Sequence, residues 1–77
     1  MAVITLSQLK KGEQGIVESI DLSQKYKSRL EELGFISGSK ISVLHTAPSG
    51  SPIACYVKGT TVALRSDDCK QIHIYVD

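Results

Sequence analysis

The fold is decided by residues 29–43, which read RLEELGFISGSKISV. In and before this stretch, four residues recur at the spacing of one helix face: Leu22, Tyr26, Leu30 and Leu33. That spacing predicts an amphipathic α-helix over about residues 22–33. Gly34 comes next, and glycine readily adopts the left-handed conformation with which helices often end. We therefore expect Leu30 and Phe35 to make the apolar contact of a Schellman ending.

The second half of the stretch predicts a strand that follows the helix directly. Gly38 marks a turn, and Ile41 and Val43 then alternate with polar residues, as in a half-buried strand. The same short stretch thus ends the helix and begins the next strand. The residues predicted to be structural, here and in a later hairpin, are Leu30, Leu33, Gly34, Phe35, Gly38 and Gly59.

Alternating apolar residues predict further strands over residues 15–20, 53–57, 61–65 and 72–76. In the first of these, Val17 and Ile20 can both face inward if a bulge lies near Glu18. Lys58 and Gly59 predict a tight two-residue hairpin between the next two strands. Together with one inserted helix, the strands predict an all-β domain, a small five-strand barrel. Closure of such a barrel is expected to remove most exposed strand edges.

Short polar motifs predict where the helical segments begin. Thr5 and Gln8 have the spacing of a capping box, which predicts a short N-terminal helical turn. Asp21 and Gln24 repeat that pattern and are expected to start the main helix in the same way. Ser66 is expected to cap one turn of 3₁₀ helix before the last strand.

Length and composition indicate a single domain spanning residues 1–77. Nine basic and eight acidic residues give a formal net charge of +1, and the charges are interspersed. A nucleic-acid-binding protein is expected to carry a basic stripe, so this class is disfavoured. No apolar run approaches the roughly 20 residues of a membrane-spanning helix. The N-terminus lacks the features of a signal peptide, so we expect the two cysteines to remain reduced.

The residues that could bind a metal do not have the spacing of a metal site. His45, Cys55, Cys69 and His73 form no Cys-x-x-Cys motif and no histidine pair on one helix turn. Cys55 alternates in step with apolar positions, where a buried free cysteine behaves as a small apolar residue. The sequence contains no evident nucleophile, acid–base pair or phosphate-binding glycine loop. We predict no metal, no cofactor and no catalytic residues.

A basic half of the helix is the first candidate surface for a partner. Lys25, Lys27 and Arg29 lie in the first half, where cations oppose the helix dipole. They either belong to a solvated face that contains a Lys27–Glu31 ion pair or mark a basic face for an acidic partner. The sequence leaves both readings open.

Two outward tyrosines are the second candidate surface. By strand parity, Tyr56 and Tyr75 point away from the predicted core. Tyrosine is enriched at protein–protein interfaces, but an outward tyrosine can also simply cover the end of a barrel. We include both in the predicted partner-binding set.

Several motifs, in their order and spacing, resemble the FeoA family over nearly the whole chain. They are Leu6-x-x-Leu9-x-x-Gly12-x-x-Gly15-x-Val17-x-x-Ile20, Arg29-Leu30-x-x-Leu33-Gly34-x-x-x-Gly38, Pro48-x-Gly50-x-Pro52, Val62-Ala63-Leu64-Arg65 and Ile72-x-Ile74. The resemblance implies an SH3-like barrel and a cytoplasmic location in a bacterium. It also implies support of FeoB, the ferrous iron transporter that carries a cytosolic GTPase domain.

The partner implied by this resemblance is a FeoB-like transporter, contacted through its GTPase domain or its membrane part. The membrane would then be reached only through the partner, and no nucleic acid is involved. One position departs from the family pattern, since Ser51 stands where members often have Asp. The chain also resembles the C-terminal module of iron-dependent repressors. A stand-alone regulatory domain, or a small RNA-binding barrel, is therefore the alternative function.

Overall fold

The computed structural model describes residues 2–77, which form one antiparallel sheet with two short helices. The elements in chain order are β1 (Ala2–Thr5), a 3₁₀ turn (Leu6–Gln8), β2 (Gln14–Ile20), α1 (Gln24–Glu32), β3 (Lys40–Thr46), β4 (Ile53–Val57), β5 (Thr60–Leu64), α2 (Ser66–Cys69) and β6 (Ile72–Val76). The strands lie in the order β1-β6-β2-β3-β4-β5. The prediction of an all-β domain with one inserted helix is confirmed.

The sheet has six strands, and the prediction of five is wrong because it missed β1. This strand pairs with β6, and Ala2 lies opposite Val76. β1 and β5 are the two ends of the strand order. The sheet therefore keeps two edge strands, whereas closure had been expected to remove most exposed edges.

The end of α1 has the predicted geometry. Gly34 has a φ of +109°, the left-handed side on which glycine is favoured. The Phe35 N–H donates to the Leu30 carbonyl at 3.0 Å, and the Gly34 N–H donates to the Glu31 carbonyl at 3.0 Å. These two hydrogen bonds define a Schellman ending. Leu30 and Phe35 are both buried, so the helix ending is joined to the core as predicted.

The start of α1 and its apolar stripe differ from the prediction. The N-cap is Ser23, which makes no side-chain capping bond, so Asp21 does not cap this helix. Leu30 is buried, but Tyr26 and Leu33 are 40% and 38% exposed. A helix of nine residues gives only about two and a half turns. It therefore contributes one buried side chain to the core instead of a full stripe.

The core lies between the helices and the inner face of the sheet. Its buried apolar residues are Leu6, Leu9, Val17, Ile20, Leu30, Phe35, Ile41, Val43, Ile53, Cys55, Val57, Leu64, Cys69, Ile72 and Ile74. The register of β2 against β6 shifts between Val17 and Ser19. This confirms the predicted bulge, which allows Val17 and Ile20 to face the core together.

The turns follow their local sequence signals, with one exception. Lys58 and Gly59 have φ values of 47° and 80°, as the two-residue hairpin requires. The Thr5 N–H donates to Gln8 Oε1 at 2.8 Å, the predicted capping-box bond. The exception is Ser66, which is the first residue of α2 after the N-cap Arg65. The predicted 3₁₀ turn capped by Ser66 is therefore wrong, and the segment is α-helical.

Candidate partner-binding surfaces

Two contacts join α1 and the turn after it to the region of the β4–β5 hairpin. Near the start of the helix, the hydroxyl of Tyr26 accepts a hydrogen bond from Arg65 Nη2 at 3.1 Å. Beyond its end, Gly34 packs on the side chain of Lys58, so that a Cβ at Gly34 would lie 3.2 Å from Lys58 Cβ. The first of these contacts places Arg65, which directly follows β5, beside the exposed face of α1 around Tyr26.

We call this surface the helix groove and define it by Lys25, Tyr26, Arg29 and Arg65. Lys25, Tyr26 and Arg29 line one depression on the surface of α1. Lys25 and Arg29 are about one helical turn apart and therefore lie on the same side. Lys27 lies roughly 200° around the helix from Lys25 and is half-buried. The prediction that Lys25 and Lys27 share one basic face is thus wrong, and Arg29 is the true neighbour of Lys25.

Tyr26 and Arg65 are absent from the predicted partner-binding set, and Arg65 is the one without any signal in the sequence. Besides its bond to Tyr26, it forms an ion pair in which Nε lies 3.6 Å from Asp68 Oδ2. The Tyr26 phenol and then the Asp68 carboxylate raise the pKa of the Arg65 guanidinium, which is in any case always protonated. The Tyr26 contact joins residues 39 positions apart. No local pattern in the sequence indicates it.

The charges of the groove are only partly balanced. Among residues 2–77 the ion pairs are Arg65–Asp68 and Lys70–Asp67, so the predicted Lys27–Glu31 pair does not form. The first turn of α1 contains no acidic residue, and Arg29 lies in the last turn, where a cation is favourable. The prediction that Arg29 lies in the first half of the helix and opposes its dipole is therefore wrong. Lys25 and Arg29, four positions apart, are like charges at a spacing that destabilises an isolated helix by a few tenths of a kcal/mol. Positive charge is therefore concentrated here in a chain of net charge +1.

Tyr56 and Tyr75 lie on the outer face of the sheet, which we call the sheet surface. Ile16 is paired with Tyr75 on one side and with Lys40 on the other. Gln14 is paired with Ser42, which is in turn opposite Tyr56. The surface consists of Val3, Gln14, Ile16, Lys40, Ser42, Tyr56 and Tyr75. Val3, Ile16 and both tyrosines are exposed, so the outward orientation predicted for the tyrosines is confirmed.

The two cysteines belong to the core and not to either surface. Burial raises the pKa of Cys55 from the ordinary value of 9.0 to about 11. Burial, with a smaller contribution from Cys55, raises the pKa of Cys69 to about 12. Both are therefore neutral thiols at pH 7, whereas the thiolate is the metal ligand and the nucleophile. In the described part of the chain no three His, Cys, Asp or Glu residues gather as a metal site.

Both thiols should be unreactive in the native protein. We expect little alkylation by iodoacetamide at pH 8 and rapid double alkylation in guanidinium, because unfolding exposes the thiols and restores an ordinary pKa. Stability should also fall as the pH rises above about 9, where the unfolded state loses thiol protons that the folded state retains. Intact-mass spectrometry measures the alkylation, and urea titrations at pH 8 and pH 10 measure the free energy of unfolding. Native alkylation at the rate of a free cysteine would contradict the burial.

The described residues match a known family over almost their whole length. The FeoA domain family matches residues 4–76. A putative Fe(2+) transport protein A of Campylobacter jejuni is 30% identical over 71 residues, which are 92% of this chain and 96% of that protein. The chain belongs to the FeoA family. The resemblance of the sequence motifs to that family is thereby confirmed.

A second relative of the FeoA family is a fusion. The Fe(2+) transport protein A/Fe(2+) transporter FeoB fusion protein of Porphyromonas gingivalis is 29% identical over 69 residues. The match covers 90% of this chain but only 8% of that protein. In the fusion, therefore, the FeoA-like part is a small segment of a long transporter chain.

Solved structures of the FeoA family have the same fold. The FeoA protein of Chlorobium tepidum aligns with a TM-score of 0.88 and 33% identity, over 95% of this chain and 71% of that one. The FeoA of Stenotrophomonas maltophilia, an SH3 domain protein complexed with zinc, aligns with a TM-score of 0.77 and 32% identity, over 90% and 86%. The SH3-like class is therefore confirmed.

A repressor shares the fold but not the sequence. A manganese-dependent transcriptional repressor aligns with a TM-score of 0.79 at 22% identity, over 94% of this chain and 40% of that one. At that identity the likeness concerns the fold alone.

Neither helix of residues 2–77 has the length and apolar character that a bilayer crossing requires.

Proposed function

We propose that this chain is an accessory protein of ferrous iron transport that works by binding a FeoB-like transporter. The observation that carries the proposal is the fusion relative, in which a region similar to this chain is covalently joined to the transporter. Joining two parts in one chain raises their effective concentration for each other, which favours parts that work in contact. The chain would act on the cytosolic side, on the GTPase domain or on the membrane part of the partner.

Two surfaces are available for this contact. The helix groove offers positive charge, and the sheet surface offers exposed apolar side chains around two tyrosines. Arginine and tyrosine are enriched at interfaces and lysine is depleted, so Arg29, Tyr56 and Tyr75 are the stronger candidates. Lys25 supports the groove through its charge. We propose Lys27 only as a neighbour of the contact, because it lies on the other side of the helix.

Regulation of transcription and RNA binding are the less supported functions. The likeness to the repressor concerns the fold alone, and the net charge of +1 is small for an RNA-binding domain. A barrel that binds RNA would show strongly salt-dependent retention on nucleic acid. We expect no such retention on an RNA column at 150 mM salt.

Co-purification and iron uptake test the proposed function. The tagged chain should recover the FeoB-like transporter from detergent-solubilised membranes, and cells that lack the chain should take up less ⁵⁵Fe(II). The double changes Lys25→Glu with Arg29→Glu, and Tyr56→Ser with Tyr75→Ser, then compare the two surfaces. The variant that removes the true contact should lower both recovery and uptake several-fold, because interface residues act mainly on dissociation.

Lys11→Glu provides the control for charge reversal. Lys11 is exposed and belongs to neither surface, so its reversal should leave recovery and uptake unchanged. Glutamate is favourable at position 25, near the start of α1, but costs about 0.3–1 kcal/mol at position 29, in the last turn, so thermal melts check that the fold of the α1 variant is intact. If the unmodified chain recovers no transporter under conditions in which the transporter itself is stable, the proposed function is wrong.

A further inference from the structure

We propose that the helix groove binds carboxylate side chains from an acidic segment of the partner protein. The proposal names the chemistry of the contact and relies on the proposed function only for the identity of the partner. It assigns binding roles to Tyr26 and Arg65 in addition to Lys25 and Arg29. The four side chains come from two elements, α1 and the end of β5, that only the fold brings together.

The first argument is the unbalanced charge of the groove. Of its three cations, Lys25, Arg29 and Arg65, only Arg65 forms an ion pair within the described residues, with Asp68. The side chain of Asp68 is only 17% exposed while that of Arg65 is 71% exposed, so most of the Arg65 side chain remains accessible to a ligand. Lys25 and Arg29 have no ion-pair partner among residues 2–77. Bound carboxylates would balance the positive charges of Lys25 and Arg29.

The second argument is that the groove is pre-organised for an acceptor. Arg65 contacts Tyr26 through Nη2 and Asp68 through Nε, and these two contacts restrict the guanidinium before a ligand binds, which reduces the freedom lost on binding. The Tyr26 oxygen accepts the bond from Arg65, so its own O–H proton is free to be donated. A guanidinium presents paired N–H groups that match the geometry of a carboxylate, and in Arg65 the Nη1 nitrogen is engaged by neither Tyr26 nor Asp68. The donors of the groove therefore fit a carboxylate directly.

The third argument favours a protein segment over an extended anionic surface. Lys25 and Arg29 lie about 6 Å apart along the helix axis, which is close to the roughly 6.6 Å between alternate side chains of an extended chain. Two carboxylates of such a segment can reach both cations. The second half of α1, however, carries Glu31 and Glu32, both exposed. These glutamates would repel a membrane of anionic lipids or a nucleic acid laid along the whole helix.

The experiment is an NMR titration of the ¹⁵N-labelled chain with hexaglutamate at 25 mM salt. We expect amide shifts confined to residues 24–30 and 64–69, with affinity that falls as salt rises. Arg65→Gln should weaken binding about tenfold, the factor of one charge-assisted hydrogen bond. Arg65→Lys should retain part of the affinity, because lysine keeps the positive charge but lacks the paired N–H groups of the guanidinium. The affinity of the Tyr26→Phe variant for hexaglutamate should lie between those of Arg65→Gln and Arg65→Lys.

Lys11→Gln is the matched control, since it removes one exposed positive charge from a residue outside the groove. Equal weakening by Arg65→Gln and Lys11→Gln would overturn the proposal, as would shifts that avoid the groove or an absence of binding at low salt. Tighter binding of phosphatidylglycerol vesicles or of a single-stranded RNA oligomer through the same residues would overturn it in favour of those ligands. Thermal melts of each variant check that the fold is intact.

The outcomes separate the groove from the proposed function. If hexaglutamate fails to bind while the chain still recovers the transporter, the proposal that the helix groove binds carboxylates is wrong, and the accessory role remains supported. If hexaglutamate binds in the groove but no transporter is recovered, the accessory role is wrong and the groove serves another acidic partner.

Discussion

Phe35→Ala should lower the free energy of unfolding by about 3–5 kcal/mol, the usual loss for a buried phenylalanine. Phe35 is fully buried and heads the set of largest buried side chains. Its N–H also makes the Schellman bond to Leu30, so a cavity here would open beside the end of α1. The free energy of unfolding of a domain is only about 5–15 kcal/mol, and for a small domain it is expected near the lower end of this range. Urea denaturation followed by circular dichroism gives the measurement.

Ile36→Ala is the control for this cavity. Ile36 is the next residue along the chain but is 39% exposed. Removing its side chain should change stability by about 0.5 kcal/mol or less, as for most surface positions. If the two alanine variants lost equal stability, the core would not be centred on Phe35 as the structure has it.

The part of the fold that could be predicted from the sequence is the part with local causes. The helix ending depends on Gly34 and the residues within one turn of it, and all of them lie in one short stretch. The hairpin at Lys58 and Gly59 and the bulge after Val17 likewise follow from neighbouring residues. In each case the conformational preference of one residue or the alternation of a few is sufficient to choose the local structure.

The parts that were missed depend on residues far apart in the chain. β1 has only four residues and becomes a strand because β6, at the other end of the chain, pairs with it. Arg65 reaches Tyr26 only because the fold brings the residue after β5 beside α1. Such contacts are set by the packing of whole elements, which alternation within a single segment does not indicate.

The candidate site was partly accessible from the sequence. Strand parity placed Tyr56 and Tyr75 on the outer face correctly. The pairing of Lys25 with Lys27 was an error that helical geometry alone excludes, because residues two positions apart do not share a helix face. Tyr26 was assigned to the apolar stripe, since a tyrosine at that spacing is more often core. Its exposed hydroxyl and its bond to Arg65 give it a place in the groove instead.

Gly34→Val should destabilise the domain by about 1–3 kcal/mol from backbone strain alone. At a φ of +109° a β-branched side chain is forced into a conformation that it rarely adopts. Its Cβ would also lie 3.2 Å from both Cβ and Cγ of Lys58, so the β4–β5 hairpin would have to move as well. We expect the melting temperature to fall by about 4–24 °C, since 1 kcal/mol corresponds to roughly 4–8 °C in a domain of this size.

Gly50→Val separates the strain from the packing. Gly50 has a similar φ of +95°, but no atom lies within 4 Å of the position that its Cβ would take. It belongs to the exposed loop between β3 and β4, where the backbone can relax without disturbing a helix or the core. Gly50→Val should therefore cost less than Gly34→Val. A melting temperature unchanged by Gly34→Val, or an equal fall for both variants, would mean that the ending of α1 at Gly34 does not couple the helix to the hairpin.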